Sequence, residues 1–268
     1  MKTFISHIPT SLIALVFIIS TSCGTSNPDP VELDLDLISS TTVNGYTVKL
    51  LSYNTLEQGA NELYWQIEKD HSPVDISSFV IVPMMTSETI QQSTPYSNPI
   101  EFKENKAYHF CSVVFTAPTN ESNSWVIDFE ITTKNQETIS SSLSVEVAPS
   151  WKVKSIQAKD NDTYFIIWDK PKTPVLGVHY LDLLVHKKES SLSYPMVSNG
   201  NIEIYPYRNL GSGNIHSTNF ADPVSKGMGR YKGYINYDIT GQWITSVKLT
   251  AANDTLSSVY FTYKVNSQ

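Results

Sequence analysis

Past residue 30 the chain holds no stretch in which apolar residues keep a helical period, and it is filled instead with short β-rich runs set apart by turn residues. In the first half the runs are Tyr46 to Tyr53, Glu62 to Glu68, Phe79 to Val82, Ala107 to Phe115, Ser124 to Thr132 and Ile139 to Val147. In the second they are Val153 to Ala158, Tyr164 to Trp168, Tyr180 to Lys187, Ile202 to Tyr205, Arg230 to Asp238, Trp243 to Thr250 and Ser257 to Val265. Where alternation is clear it has period two. Trp125, Ile127, Phe129 and Ile131 share one face, while Val126, Asp128 and Glu130 share the other. The pattern predicts an all-β protein of two tandem immunoglobulin-like antiparallel β-sandwich domains. The Cys…Trp…Cys spacing of true immunoglobulin domains is absent from the sequence.

The first residues predict an export signal. Lys2 is followed by the apolar run Leu12 to Ile19 and by Ser20-Thr21-Ser22-Cys23. That run is too short to span a hydrocarbon core of about 30 Å. Small residues before Cys23 resemble a bacterial lipobox, although Ser20 stands where Leu is usual. The implied lipid on Cys23 anchors the mature chain to a membrane. The alternative is an ordinary signal peptide with Cys23 incidental. Residues 1–22 are thus a lipoprotein signal peptide and 23–40 a lipidated tether. Residues 41–148 are the first sandwich, and 149–268 the second, divided at Ala148-Pro149-Ser150. The predicted location is the bacterial cell envelope: outer membrane, periplasmic or surface face.

Composition narrows the function. The 268 residues carry a formal net charge of -7, which becomes -8 once Lys2 is removed with the signal. No Lys/Arg cluster exists to neutralise phosphates, so nucleic acid is excluded as a partner. Only 17% of residues are charged, against about 25% in an average domain, and 15 are Tyr. Sheets account for much of that excess. The remainder suits a recognition surface on Tyr-rich loops. Of the two Cys, Cys111 sits in a strand pattern and reads as a buried core residue.

Candidate chemistry is sparse. Pro83-Met84-Met85 offers thioethers, which suit Cu(I), but adjacent strand residues face opposite ways. The stretch Tyr207 to Ser217 holds Gly211, Gly213 and His216, where glycines bring backbone near a ligand and His216 offers a metal ligand. His179 and His186 lie seven apart on one strand, hence on opposite faces. Asp34 and Asp36 would share a strand face but lack a His or basic partner nearby. No GxSxG, HExxH, Walker A or CxxC motif is present, and the chain is read as no enzyme.

The halves repeat one another. Trp65 matches Trp168, Pro83 matches Pro206, Asn98-Pro99 matches Asp222-Pro223, Tyr108 matches Tyr231, and Trp125 matches Trp243. These pairings imply an insertion of about twenty residues around Lys187 to Gly200. The second half also carries Gly229-Arg230-Tyr231-Lys232-Gly233 and Gly241-Gln242-Trp243. With the Pro83-Met84-Met85 loop, these motifs resemble the YtkA-like/FixH-like family of exported bacterial sandwich domains. That resemblance implies a copper-handling envelope protein, whose remaining donors here are Met84, Met85 and His216. It departs from the family at Leu210, where relatives have Met, and at Ser212, where they have His. The leading expectation is a lipid-anchored, non-enzymatic binding or accessory module without a cofactor, whose partner is an unknown protein or small ligand. Copper handling with degenerate Met/His loops is the alternative.

Overall fold

The computed structural model describes residues 32–158, 161–251 and 254–267. The expected signal peptide, Cys23 and the start of the expected tether lie outside the described residues. The strands of the first sandwich are β1 (Asp36–Val43), β2 (Tyr46–Ser52), β3 (Gly59–Lys69), β4 (Ser72–Pro73), β5 (Ile76–Ser87), β6 (Gln91–Gln92), β7 (Ile100–Glu101), β8 (Tyr108–Phe115), β9 (Asn123–Thr133) and β10 (Thr138–Val145). Those of the second are β11 (Val153–Gln157), β12 (Thr163–Lys170), β13 (Gly177–Lys188), β14 (Asn201–Gly211), β15 (Asn214–Ser217), β16 (Phe220–Ser225), β17 (Arg230–Tyr237), β18 (Gly241–Ala251), β19 (Asp254–Thr255) and β20 (Val259–Val265). Every predicted run falls on one of these strands.

Four sheets result, all with antiparallel pairing. The first sandwich joins the order β1-β2-β3-β8-β7, with β4 beside β3, to the order β10-β9-β5-β6. The second joins β11-β12-β13-β17-β16 to a sheet in which β18 lies between β14 and β20, with β15 outside β14. One core forms between each pair of sheets. The first is built on Trp65, Ile81, Cys111, Trp125 and Ile127, and the second on Trp168, Leu183, Tyr231, Trp243 and Phe261. The predicted inward face of Trp125, Ile127, Phe129 and Ile131 is the buried face of β9.

Strand β1 begins at Asp36, inside the stretch read from sequence as tether. Its Ser/Thr-rich sequence gives little apolar alternation, and it is held by pairing with β2 through the two-residue turn Asn44-Gly45. Both turn residues have positive φ, 53° and 79°, the geometry that Asn-Gly adopts at least cost.

The repeat is real in the hydrogen bonds, but its alignment differs from the one the aromatics suggest. Trp65 pairs with Leu50 across β2 and β3, while Trp168 pairs with Leu183 across β12 and β13. Because β3 lies beside β8 as β13 lies beside β17, Trp168 takes the place of Leu50, and Leu183 that of Trp65. Tyr231, opposite Leu183, likewise answers to His109, opposite Trp65, so the match to Tyr108 is one residue off. The twenty-residue insertion disappears with this correction, leaving about five extra residues between β13 and β14.

Other matches hold. The Ile81 N–H donates to Asn98 Oδ1 at 3.2 Å, and the Ile204 N–H donates to Asp222 Oδ1 at 2.8 Å. Trp125 Nε1 donates to the Ala117 carbonyl at 2.9 Å, as Trp243 Nε1 does to Ile239 at 3.0 Å. Each of these side chains satisfies a buried polar group that would otherwise cost about 1–3 kcal/mol. The repeated Asx-Pro and Trp positions are therefore structural clamps.

The sandwiches meet through outer sheet faces. Val114, Val153 and Ile167 are buried there, with Ala60, Phe165 and Leu184 packed around them. Alternation is also lost on β3 and β13, where Tyr64 is covered by Tyr53, Phe102 and Phe110 of its own sandwich and Asp182 by Arg230. Leu63, Tyr64 and Trp65 are all buried in succession, as are Leu181, Asp182 and Leu183.

Candidate binding surfaces

Each residue singled out from sequence has a definite place. Cys111 is buried, its Sγ accepts from Trp65 Nε1 at 3.3 Å, and burial pushes its thiol up to about 12. It is a core residue, as expected. Met84 and Met85 lie on β5 of the first sandwich, Met85 buried in the core and Met84 on the opposite face. His216 lies on β15 of the second sandwich, its Nε2 against Asp238 at 2.9 Å and its ring edge-on to Trp243. These three residues sit on sheets of different sandwiches, and as a single copper site they do not fit. Asp36 opens β1 and Asp34 precedes it.

The stretch Tyr207 to Ser217 is a hairpin, not a loop. Gly211 pairs with Asn214 across the turn Ser212-Gly213, whose φ values are 51° and 80°. Its glycines serve the turn. The motif glycines are likewise packing positions. A Cβ on Gly233 would lie 2.5 Å from the Ala221 carbonyl oxygen, and one on Gly229 would lie 2.7 Å from that of Val185.

His179 and His186 occupy opposite faces of β13, as their spacing requires. His179 stacks beside Tyr237 and bonds the Val175 carbonyl at 2.8 Å. His186 is buried toward the junction, where its Nδ1 meets the Tyr194 carbonyl at 3.0 Å, and burial holds its pKa below the ordinary imidazole value. It lines a hollow of about 280 Å³ together with Met196, Met228, Tyr96 and Arg230. His186 and Met196 form an isolated bridge, and Met228 takes a left-handed φ of 51° between Gly227 and Gly229. The structure thus gathers a Met/His set that sequence spacing does not reveal.

A larger cleft of about 770 Å³ opens at the same junction, bordered by Glu57, Glu62, Lys152, Lys172 and Lys264. Its charges are partly spoken for. Lys152, with a side chain only 10% exposed, is bonded to Glu57. Nearby, Arg230 bridges Asp169 at 3.0 Å and Asp182 at 2.5 Å.

The three most exposed tyrosines, Tyr180, Tyr260 and Tyr205, are on strands, as is Tyr234, while Tyr53 (43% exposed) and Tyr96 (36%) lie in loops of the first sandwich. Tyr180 on β13 is 84% exposed, Tyr205 on β14 48%, Tyr234 on β17 39% and Tyr260 on β20 54%. Tyr180 and Tyr234 are directly opposite each other in register. The expected exposed tyrosines are therefore found partly in loops, at Tyr53 and Tyr96, and mostly on strands. Six of the 15 Tyr are buried, and four of the exposed ones stand on sheet faces of the second sandwich. Sheet placement fixes each ring on a rigid base, which lowers the entropy lost on contact.

No family model matches the chain, and no curated protein does. Among solved structures, a DUF4426 family protein from Pseudomonas aeruginosa aligns with TM-score 0.31 and 8% identity over 42% of this chain and 96% of that one. A conserved domain protein from Bacillus anthracis aligns at 0.29 and 8%, over 87% and 91% of the two chains. The Escherichia coli adhesin FdeC aligns at 0.27 and 13%, over 84% of this chain and 65% of that one, just under two thirds of its length. Likenesses at this level assign neither ligand nor activity.

Proposed function

We propose that the chain is a non-enzymatic binding module held at the bacterial cell envelope by a lipid on Cys23, with its ligand contacts on the sheet faces of the second sandwich. One observation carries the reading: four tyrosines, Tyr180, Tyr205, Tyr234 and Tyr260, are held out to solvent on strands. Large amphipathic rings on a rigid base are the side chains that recognition surfaces use most. The acidic and basic groups at the junction support a structural role for the cleft, since Lys152 is engaged by Glu57 and Arg230 by Asp169 and Asp182.

Hydroxyl-radical footprinting of the mature chain against a cell-envelope extract tests it. Protection of the four tyrosines is expected, and an extract that leaves all four as reactive as in buffer overturns the reading. The anchor has its own test. Cys23→Ala should move the protein from the membrane fraction to the soluble fraction, and retention in membranes would refute lipidation there.

A second reading is copper handling, favoured by the convergence of His186, Met196 and Met228 on one hollow. Two thioethers and a neutral imidazole are a soft donor set that suits Cu(I). With Nδ1–H on the Tyr194 carbonyl, the His186 Nε2 lone pair is left to ligate. Titration with Cu(I) should give a stoichiometric complex abolished by Met196→Ala and untouched by Met84→Ala. The absence of any complex tighter than the buffer's ends this reading.

A further inference from the structure

Resting on the reading of a sheet-face binding module and deepening it, we propose that the outer face of the β14–β18–β20 sheet binds a neutral polysaccharide chain. The register across these three strands builds a trough. Tyr205 pairs with Ser246, which pairs with Tyr260, and Tyr207 pairs with Ile244, which pairs with Thr262. The intervening residues Ile204, Val247 and Phe261 are buried, so the tyrosines and their partners face outward. Tyr205 and Tyr207 form one wall, Tyr260 and Thr262 the other, and the small Ser246 lies on the floor between Tyr205 and Tyr260. The walls are two strand spacings apart, about 9–10 Å at the backbone.

The ring geometry suits sugars. The Tyr205 and Tyr207 rings lie 5.7 Å apart with planes only 30° from parallel, so they offer two neighbouring, similarly tilted faces along one strand. Phe220 braces Tyr205 edge-on at 6.3 Å. A pyranose ring presents C–H groups on its face and hydroxyls on its rim. The C–H face packs on an aromatic face, while the rim needs donors and acceptors beside it. Here the phenol hydroxyls and the hydroxyls of Ser246 and Thr262 stand beside the rings. A repeating chain laid along β18 would place successive units on Tyr205 and Tyr207, with Tyr260 closing the far side.

Charge selects among ligands. The rows carrying the tyrosines hold no ionised side chain; of the rows on either side, one pairs Glu203 with Lys248 at 3.2 Å, which cancels, and the other carries the single charge of Lys264 opposite Gln242. Single-stranded nucleic acid also stacks on aromatics, but it needs a groove lined by several cations, and Lys264 alone does not make one. An uncharged glycan matches both the rings and the neutrality.

Affinity electrophoresis of the full mature chain in gels containing hydroxyethylcellulose, galactomannan or xyloglucan tests the proposal, with heparin as the polyanion control. At least one neutral glycan should retard the protein and heparin should not. Tyr260→Ala and Tyr205→Ala should each weaken that retardation at least tenfold, and Tyr53→Ala, at an exposed tyrosine of the first sandwich, should leave it unchanged. Both trough substitutions are at exposed positions, so circular dichroism of the variants should match the parent. The proposal falls if no neutral glycan of the panel retards the chain, or if retardation survives both trough substitutions. If footprinting protects Tyr180 and Tyr234 while the trough tyrosines stay reactive, the binding-module reading stands and the glycan site is overturned.

Discussion

Replacing Arg230 by Met should destabilise the second sandwich far more than a surface ion pair would. Asp182 lies on the face of β13 turned toward the junction, with its side chain only 6% exposed, and Arg230 is its principal partner at 2.5 Å. The same guanidinium holds Asp169, 13% exposed, at 3.0 Å. Once it is gone, Asp182 keeps only Lys232 at 3.8 Å among the described residues, and its Oδ1 already has no hydrogen-bond partner among them. An exposed pair is worth about 0–1 kcal/mol, whereas a buried charge stripped of its partner costs about 3–5 kcal/mol. Arg230 is itself 38% exposed, so water reaches the site and the low end applies. About 3 kcal/mol is expected, which at 1.4 kcal/mol per tenfold is roughly a hundredfold in the opening equilibrium.

The assay is amide hydrogen exchange of the mature chain, read on peptides from β13 and β17, whose paired amides open together. Arg230→Met should speed exchange there about a hundredfold while leaving β5 and β9 unchanged. The diagnostic variant is Arg230→Met with Asp182→Asn, which removes the more deeply buried of the two abandoned charges. It should recover about 1–2 kcal/mol, because most of the single variant's cost is the unpaired carboxylate. A cost below about 1 kcal/mol for Arg230→Met, or a double variant no more stable than the single, refutes the reasoning.

Other outcomes follow from the same physical terms. Cys111, with its thiol pushed up to about 12 beneath Trp65, should resist iodoacetamide at pH 8 in the folded chain and react fully in urea. Asp222→Ala and Asn98→Ala remove equivalent clamps, and urea melts should show about 2 kcal/mol lost for the carboxylate and about 1 kcal/mol for the amide. His186 and His109 have pKa values held below the free imidazole value, in each case first by burial. Their neutral forms are therefore favoured by folding. The stability they contribute is present above about pH 6.5 and is lost as the pH falls from there through the lower folded values. The urea midpoint should drop between pH 7 and 5, and His186→Gln should flatten that drop.

The parts of the fold legible in the sequence are those with local signals. Period-two alternation located β9, and turn residues bounded its neighbours, because a half-buried strand writes its burial into every second position. Strand β1 was hidden since Ser39, Ser40, Thr41 and Thr42 carry no apolar alternation, although Asn44-Gly45 marks its hairpin. The repeat was legible in Pro83/Pro206 and Trp125/Trp243. It was misaligned at Trp65 and Trp168, because which strand pairs with which is a non-local property. The junction had a sequence signature in the unbroken apolar run Ile166-Ile167-Trp168, where both faces of a strand are covered. The binding surface had none. Tyr231 and Tyr234 look alike in the sequence, yet one is fully buried and the other 39% exposed, and only the packing of sheets separates them.

The central claim is that the outward tyrosines of the second sandwich are the contact surface. Aromatic-ring chemical-shift mapping of the mature chain against a soluble neutral glycan tests it most directly. Perturbation of Tyr205, Tyr207 and Tyr260 is expected, with buried Tyr231 and Tyr263 unmoved. Saturating glycan that shifts no exposed tyrosine, or shifts only residues at the junction such as Trp151, would contradict it.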